Sequence, residues 1–174
     1  LFMENWYVIQ VRSGQEERIL RKCRLLIDHA VLHDCFLPKC ERMKKVRGHW
    51  EKVEELLFRG YVFLISDDVQ ALYHELYKID DLTKLLGKHG EDIYPLYEKE
   101  VAFLKSFGRM EHLVEMSVGY MEGERIVVME GPLMGKEGMI CKVDRHKRIA
   151  VIEVEMFGKT TTAKVGLEIV AKRT

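Results

Sequence analysis

Lys142, Arg145, His146, Lys147 and Arg148 crowd cationic chemistry around a single acid, Asp144. Lysine and arginine contact phosphate, and arginine also forks onto guanine edges. Asp144–Lys147 reads as a turn, which presents these side chains together. Lys159, Lys164, Lys172 and Arg173 join them if the flanking strands close into a barrel. The same residues also describe an exposed polar hairpin without a ligand, since turns tolerate charge freely.

A second constellation is apolar. Leu57-Phe58-Arg59-Gly60 leads into Tyr61–Ile65, a continuous apolar run of the sort expected of a strand covered on both faces. Period two sends Val62 and Leu64 one way and Tyr61, Phe63 and Ile65 the other. A small two-layer domain has too few helices to cover both sides. One aromatic face is therefore expected to remain for a partner, with a second covering helix as the competing reading.

Other chemistry is set aside. His29, His33, Cys35 and Cys40 are dense, but their spacing fits no paired zinc-ligand pattern, so no metal is expected. Gly135-Lys136-Glu137-Gly138 is too short for a phosphate-binding loop and opens no helix. No nucleophile–base arrangement is apparent. Neither an enzyme nor a cofactor is expected. Formal net charge is zero, so nucleic-acid contact must come from local patches. No apolar run approaches the ~18–20 residues of a membrane span. With unevenly spread cysteines and no leader pattern, the expectation is a cytoplasmic monomer with reduced thiols.

These residues need elements to hold them. Trp6–Val11 reads as a strand with Tyr7, Ile9 and Val11 facing a helix and Trp6, Val8 and Gln10 on a mixed face. Ser13-Gly14-Gln15-Glu16 fits a capping box, with Ser13 as N-cap. The helix after it places Ile19, Cys23, Leu26, Ile27 and Ala30 on one stripe. Phe36–Arg47 and Trp50–Leu57 read as a basic hairpin turning at Gly48-His49. Ser66-Asp67-Asp68 starts a helix with Val69, Leu72, Tyr73, Leu76 and Tyr77 inward. Leu82–Leu86 ends at Gly87, Ile93–Leu96 is at most an edge strand because of Pro95, and Glu98–Phe107 forms a last short helix before Gly108.

From Tyr120 the pattern changes to short apolar runs punctuated by Gly, Pro and Asp, the mark of a small β barrel. Gly123, Arg125, Val127, Gly131-Pro132, Gly135, Gly138 and Val143 resemble the KOW motif. Upstream, Trp6-Tyr7-Val8, Gly14-Gln15-Glu16, Phe36-Leu37-Pro38 and Phe58-Arg59-Gly60-Tyr61-Val62-Phe63 resemble the amino-terminal domain of the NusG/RfaH family, with Arg59 where members usually have Pro. Together the resemblance covers almost the whole chain. Ser117–Gly123 and Asp144–Ala150 look most like the LoaP branch of specialised NusG paralogues.

The resemblance implies an α+β protein. Residues 3–107 are expected as a NusG-type α/β sandwich (an antiparallel sheet with helices), 108–119 as a linker and 120–174 as a KOW SH3-like barrel. It implies a transcription elongation factor on RNA polymerase, acting in this branch as a processive antiterminator that recognises an RNA hairpin in the leader transcript. Val8, Gln10, Phe58, Tyr61 and Phe63 correspond to the face that meets the polymerase clamp helices, and Ser66–Val69 to the gate-loop contact. Arg12, Lys22 and Arg24 lie near positions that touch non-template DNA. Lys142, Arg145, His146, Lys147, Arg148, Lys159 and Lys164 are the RNA candidates. Met156, Phe157 and Lys159 match the loop that meets ribosomal protein or Rho. A general elongation and termination factor, or a translation-linked KOW protein, are the alternatives.

Overall fold

The structure is a computed structural model, and it describes residues 4–83 and 93–171. In chain order its first elements are β1 (Asn5–Gln10), α1 (Glu16–Leu26), β2 (Asp34–Phe36), β3 (Lys39–Val46), β4 (His49–Leu56) and β5 (Tyr61–Ser66). Then come α2 (Val69–Tyr77), α3 (Asp80–Thr83), β6 (Ile93–Pro95), α4 (Glu98–Gly108) and β7 (Leu113–Val114). The chain ends with β8 (Ser117–Glu122), β9 (Arg125–Glu130), β10 (Ile140–Asp144), β11 (Ile149–Met156) and β12 (Lys159–Ile169). Of the expected segment Leu82–Leu86 with its stop at Gly87, residues 84–87 lie outside the described residues, as do Lys172 and Arg173.

The chain forms two compact units, Leu1–Leu37 with Phe58–Val101, and Pro38–Leu57 with Ala102–Thr174. The first is built on a four-stranded antiparallel sheet of order β2-β5-β1-β6. β1 and β5 pair from Asn5↔Ser66 to Gln10↔Tyr61, so Tyr7 and Ile9 share a face with Leu64 and Val62. α1 packs on this face against β2 and β5, burying Ile19, Leu20 and Cys23. β6 is an edge strand, where Pro95 can do without a ladder donor.

Three local expectations are corrected here. Ser13 does not cap α1: Gln15 holds the N-cap position without a side-chain bond, and the helix starts at Glu16. Glu16 is buried, and its carboxylate accepts the amides of Gly14 at 2.8 Å and Gly60 at 2.9 Å. A charged acceptor shared by two otherwise orphaned donors outweighs the smaller gain of a serine cap. Leu26 and Ala30 are exposed, because the helix stops at Leu26 and only Ile27 beyond it turns inward. The β3–β4 hairpin turns at Arg47-Gly48 rather than Gly48-His49. Both turn residues have positive φ (50° and 84°), which matches the right-handed twist of the strands.

The second unit holds a five-stranded sheet of order β10-β11-β12-β8-β9, with β12 parallel to β8. Ala150, Ile152, Val154 and Met156 alternate into its core with Ala163, Val165 and Leu167. Gly131, at φ 97°, passes so near β8 that an added Cβ would lie 2.6 Å from Ser117 Cα. The α+β architecture expected from sequence is thus the one found. Residues 108–119, expected as a linker, include β7 and the start of β8, and β7 pairs parallel with β3. β3 also packs along β12, where Cys40 Sγ donates to the carbonyl of Lys164 at 3.3 Å.

Replacing Glu16 by Ala should destabilise the first unit by about 1.5–3 kcal/mol, the usual worth of bonds to a charged group. A lower urea midpoint with an unchanged slope is the expected reading. An unchanged midpoint would show that the Gly14 and Gly60 amides are satisfied equally well by water.

Candidate functional site

The sheet face opposite α1 is aromatic. Register places Phe63 beside Val8 and Phe36, Tyr61 beside Gln10, Ile65 beside Trp6, and Tyr94 on the other side of Val8. The Phe36 and Phe63 rings stack at 5.4 Å, Trp6 meets Phe36 edge-on at 5.0 Å, and Phe58 lies 6.2 Å from Phe63. Val8 and Phe63 are fully enclosed and Phe58 nearly so. The expectation of an open aromatic face therefore holds only at its margin. Tyr61 is half-buried and its hydroxyl accepts from exposed Gln10 Nε2 at 3.2 Å, while Tyr94 is 45% exposed. Phe36 makes the difference: its strand lies beside β5, so its ring joins the same side and helps close over Phe63. Tyr94 was not foreseen, although its period-two position on an edge strand could have indicated it.

The cations of the first unit are used unequally. Lys22 pairs with Asp81, which Arg18 also approaches at 3.6 Å. The hydrogen bond from Lys22 holds the Asp81 carboxyl below the usual carboxylate range. Arg24 donates to the Cys35 carbonyl at 3.0 Å. Arg12 makes no ion pair among the described residues and lines a cleft of about 450 Å³ with Ser13, Gln15, Arg18, Asp80 and Asp81. Of the three expected DNA-facing residues, only Arg12 is thus exposed and uncommitted. Ser66 is buried and donates to the Val31 carbonyl at 2.6 Å, and Asp68 caps α2 by accepting the Ala71 amide at 3.0 Å. Ser66 and Asp68 thereby perform structural roles in the stretch singled out as a gate-loop contact.

In the second unit, Asp144 Oδ1 accepts the Lys147 amide at 3.0 Å, closing the predicted turn. That bond keeps the Asp144 carboxyl below its ordinary range. Arg145, His146 and Lys147 are exposed at the tip. Lys142 and Lys164 both pair with Val151 across neighbouring strands, so they share a row about 10 Å wide. Lys159 sits at the opposite end of β11, roughly 23 Å from the turn at strand rise, and does not join the cluster. Arg148 lies at φ 56°, 3.8 Å from Glu168 Oε1, with its guanidinium 4.3 Å from the centroid of the Trp50 ring. Met156 is enclosed in the core, so the loop expected to meet a protein partner offers Phe157 and Lys159 only.

His33 lies between Glu4 at 3.3 Å and Asp67 at 3.6 Å. Burial pushes the Cys40 thiol up to about 11 and the Cys23 thiol up to about 12, and raises that of Cys35. Cys141 alone is exposed.

Phe63→Ala should cost about 3–5 kcal/mol, as deletion of an enclosed ring does. Tyr61→Ala should cost less than about 1.5 kcal/mol, because its site is half open. Denaturant unfolding of the two variants separates them, and equal losses would contradict the enclosure of Phe63.

Comparison with known proteins places this geometry. The family model described as "Transcription termination factor nusG" matches residues 4–105, more than half of the chain. The "Transcription termination/antitermination protein NusG" of Borreliella burgdorferi is 24% identical, over 96% of this chain and 97% of that protein. Its Lactococcus lactis counterpart is 25% identical, over 95% and 91%. The solved structure described as "Domain interaction in Thermotoga maritima NusG" superposes with a TM-score of 0.56 at 18% identity, covering 94% of each chain, which supports the fold. With its family model matched over more than half of its length, the chain belongs to the NusG family.

Proposed function

We propose that this protein is a transcription elongation factor that binds RNA polymerase and acts as a processive antiterminator guided by a leader-transcript hairpin. Family membership over residues 4–105 supports the polymerase association. The observation that carries the finer reading is the Asp144–Arg148 turn, whose Arg145, His146 and Lys147 are exposed and make no salt bridge among the described residues. Phosphate recognition needs cations that are not already neutralised. The division into a polymerase-binding domain (3–107), a linker (108–119) and a KOW domain (120–174) is part of this proposal. So are action as a monomer in the cytoplasm and a supporting contact of Arg12 with non-template DNA.

The polymerase surface is the margin of the aromatic sheet face. Tyr61, Gln10 and Tyr94 are directly accessible, whereas Val8, Phe58 and Phe63 fix the rings behind them. Full burial of one such aromatic contributes about 1.5–3 kcal/mol.

A general elongation and termination role is the second reading. It is favoured by the relatives that match along nearly their whole length and carry the termination/antitermination name. The Phe157–Lys159 turn would then meet ribosomal protein or Rho. Transcription through a terminator in vitro, with and without leader RNA, distinguishes the two. Readthrough that depends on the leader supports antitermination, and readthrough or termination indifferent to it supports the general role.

Two variants test the surfaces. Tyr61→Ser combined with Tyr94→Ser should weaken polymerase binding at least about tenfold, the equivalent of 1.4 kcal/mol, and co-sedimentation with core polymerase measures it. Arg145→Gln with Lys147→Gln should flatten the salt dependence of leader binding by about 0.7–0.9 log unit per lost phosphate contact. An unchanged slope would remove this turn from the interface.

A further inference from the structure

Trp50 is exposed to 39% on β4, one residue past the Arg47-Gly48-His49 tip of the basic hairpin. It directly faces Lys45 across the hairpin, and Arg148 of the barrel turn stacks over its ring at 4.3 Å. The hairpin tip and the barrel turn therefore meet around one indole within the second unit. Lys45, Arg47, Arg145 and Lys147, carried by the hairpin and by the turn that bears Arg148, make no salt bridge among the described residues. By contrast, the hairpin cations nearer its base are occupied: Arg42 and Lys44 pair with Glu55, and Lys52 approaches Glu41 at 3.6 Å. Acids near the cluster are few. Glu168 holds Arg148 at 3.8 Å, Asp144 is bonded inside its own turn, and Glu51 projects from the opposite face of the hairpin.

We infer that Trp50, with Lys45 and Arg148, forms a stacking platform for an unpaired RNA nucleotide, shared between the hairpin and the barrel. This rests on the RNA-binding reading above and extends it to an element outside the barrel. A half-exposed indole between Lys45 and the Arg148 guanidinium suits a splayed base with its phosphates. It suits a protein partner poorly, since the centre of a protein interface is depleted in lysine and Lys45 lies directly across from this indole. The backbone of Arg148 points the same way. Its left-handed conformation is one that Gly or Asn adopts more readily, so an arginine there is held against local preference.

The test uses the full chain and RNA stem–loops with a randomised loop, enriched on the chain itself. Trp50→Ala should lower affinity for the enriched RNA roughly tenfold or more while leaving its salt slope and the unfolding midpoint unchanged. Arg148→Gly should hold or raise the midpoint yet weaken RNA binding, which a merely structural arginine would not do. RNA should quench fluorescence of the full chain more than that of Trp50→Phe, and an abasic loop should remove the difference. Enriched RNA that binds Trp50→Ala as tightly as the parent would overturn the platform and leave the barrel-turn reading intact. Failure to enrich any stem–loop would defeat both. Loss of polymerase binding by Trp50→Ala, with RNA affinity kept, would reassign the indole to a protein contact.

Discussion

Strand β5 is hydrogen-bonded along both edges, to β1 and to β2, and enclosed on both faces at Val62, Phe63 and Leu64. That double confinement fixes the register of the whole first sheet, because a one-residue slip would exchange its faces. One face must then accept α1, and the other must gather Trp6, Val8, Phe36 and Phe63. Every surface feature of this unit is arranged around that constraint. The accessible tyrosines sit at the start of β5 and on the edge strand β6, and Glu16 ties the start of α1 to the turn that feeds β5.

Charge is distributed with comparable economy. A chain with no net charge cannot attract a polyanion as a whole. Among the described residues, several of its lysines and arginines are neutralised inside the fold. Lys22, Arg42 and Lys44 belong to this group, held by Asp81 and Glu55. The half-exposed Lys22–Asp81 pair contributes little stability, whereas Arg42 and Glu55 are largely covered. The consequence of these pairs is spatial: the paired cations sit at α1 and at the hairpin base, whereas Arg12, Lys45, Arg47, Arg145 and Lys147 make no salt bridge among the described residues.

Most of the architecture was legible because it rests on period two and on turn chemistry. The facing of β1, the alternation along β11, the edge position of β6 and the barrel turns at Gly131 and Asp144 could all be read from residue spacing. What escaped did so for tertiary reasons. Ser13 has the chemistry of a cap, yet Glu16 found two amides that only a distant turn could supply. Phe36 looked like part of a basic arm, and its place beside Phe63 depends on β2 pairing with β5. Lys159 seemed near the cationic turn until the length of β11 set them at opposite ends. Trp50 stayed unremarked, since nothing local announces that an arginine nearly a hundred positions later will lie across its ring.

Thiol chemistry follows from the same burial. Alkylating reagents act on the thiolate, and Cys23 and Cys40 are enclosed groups whose deprotonation is disfavoured, with Cys35 raised in the same direction. Cys141 stands on the outside of β10, one position from Lys142. The folded chain thus has one natural address for a maleimide dye, on the strand that leads into the cationic turn, and no cysteine need be engineered or removed to place a reporter there.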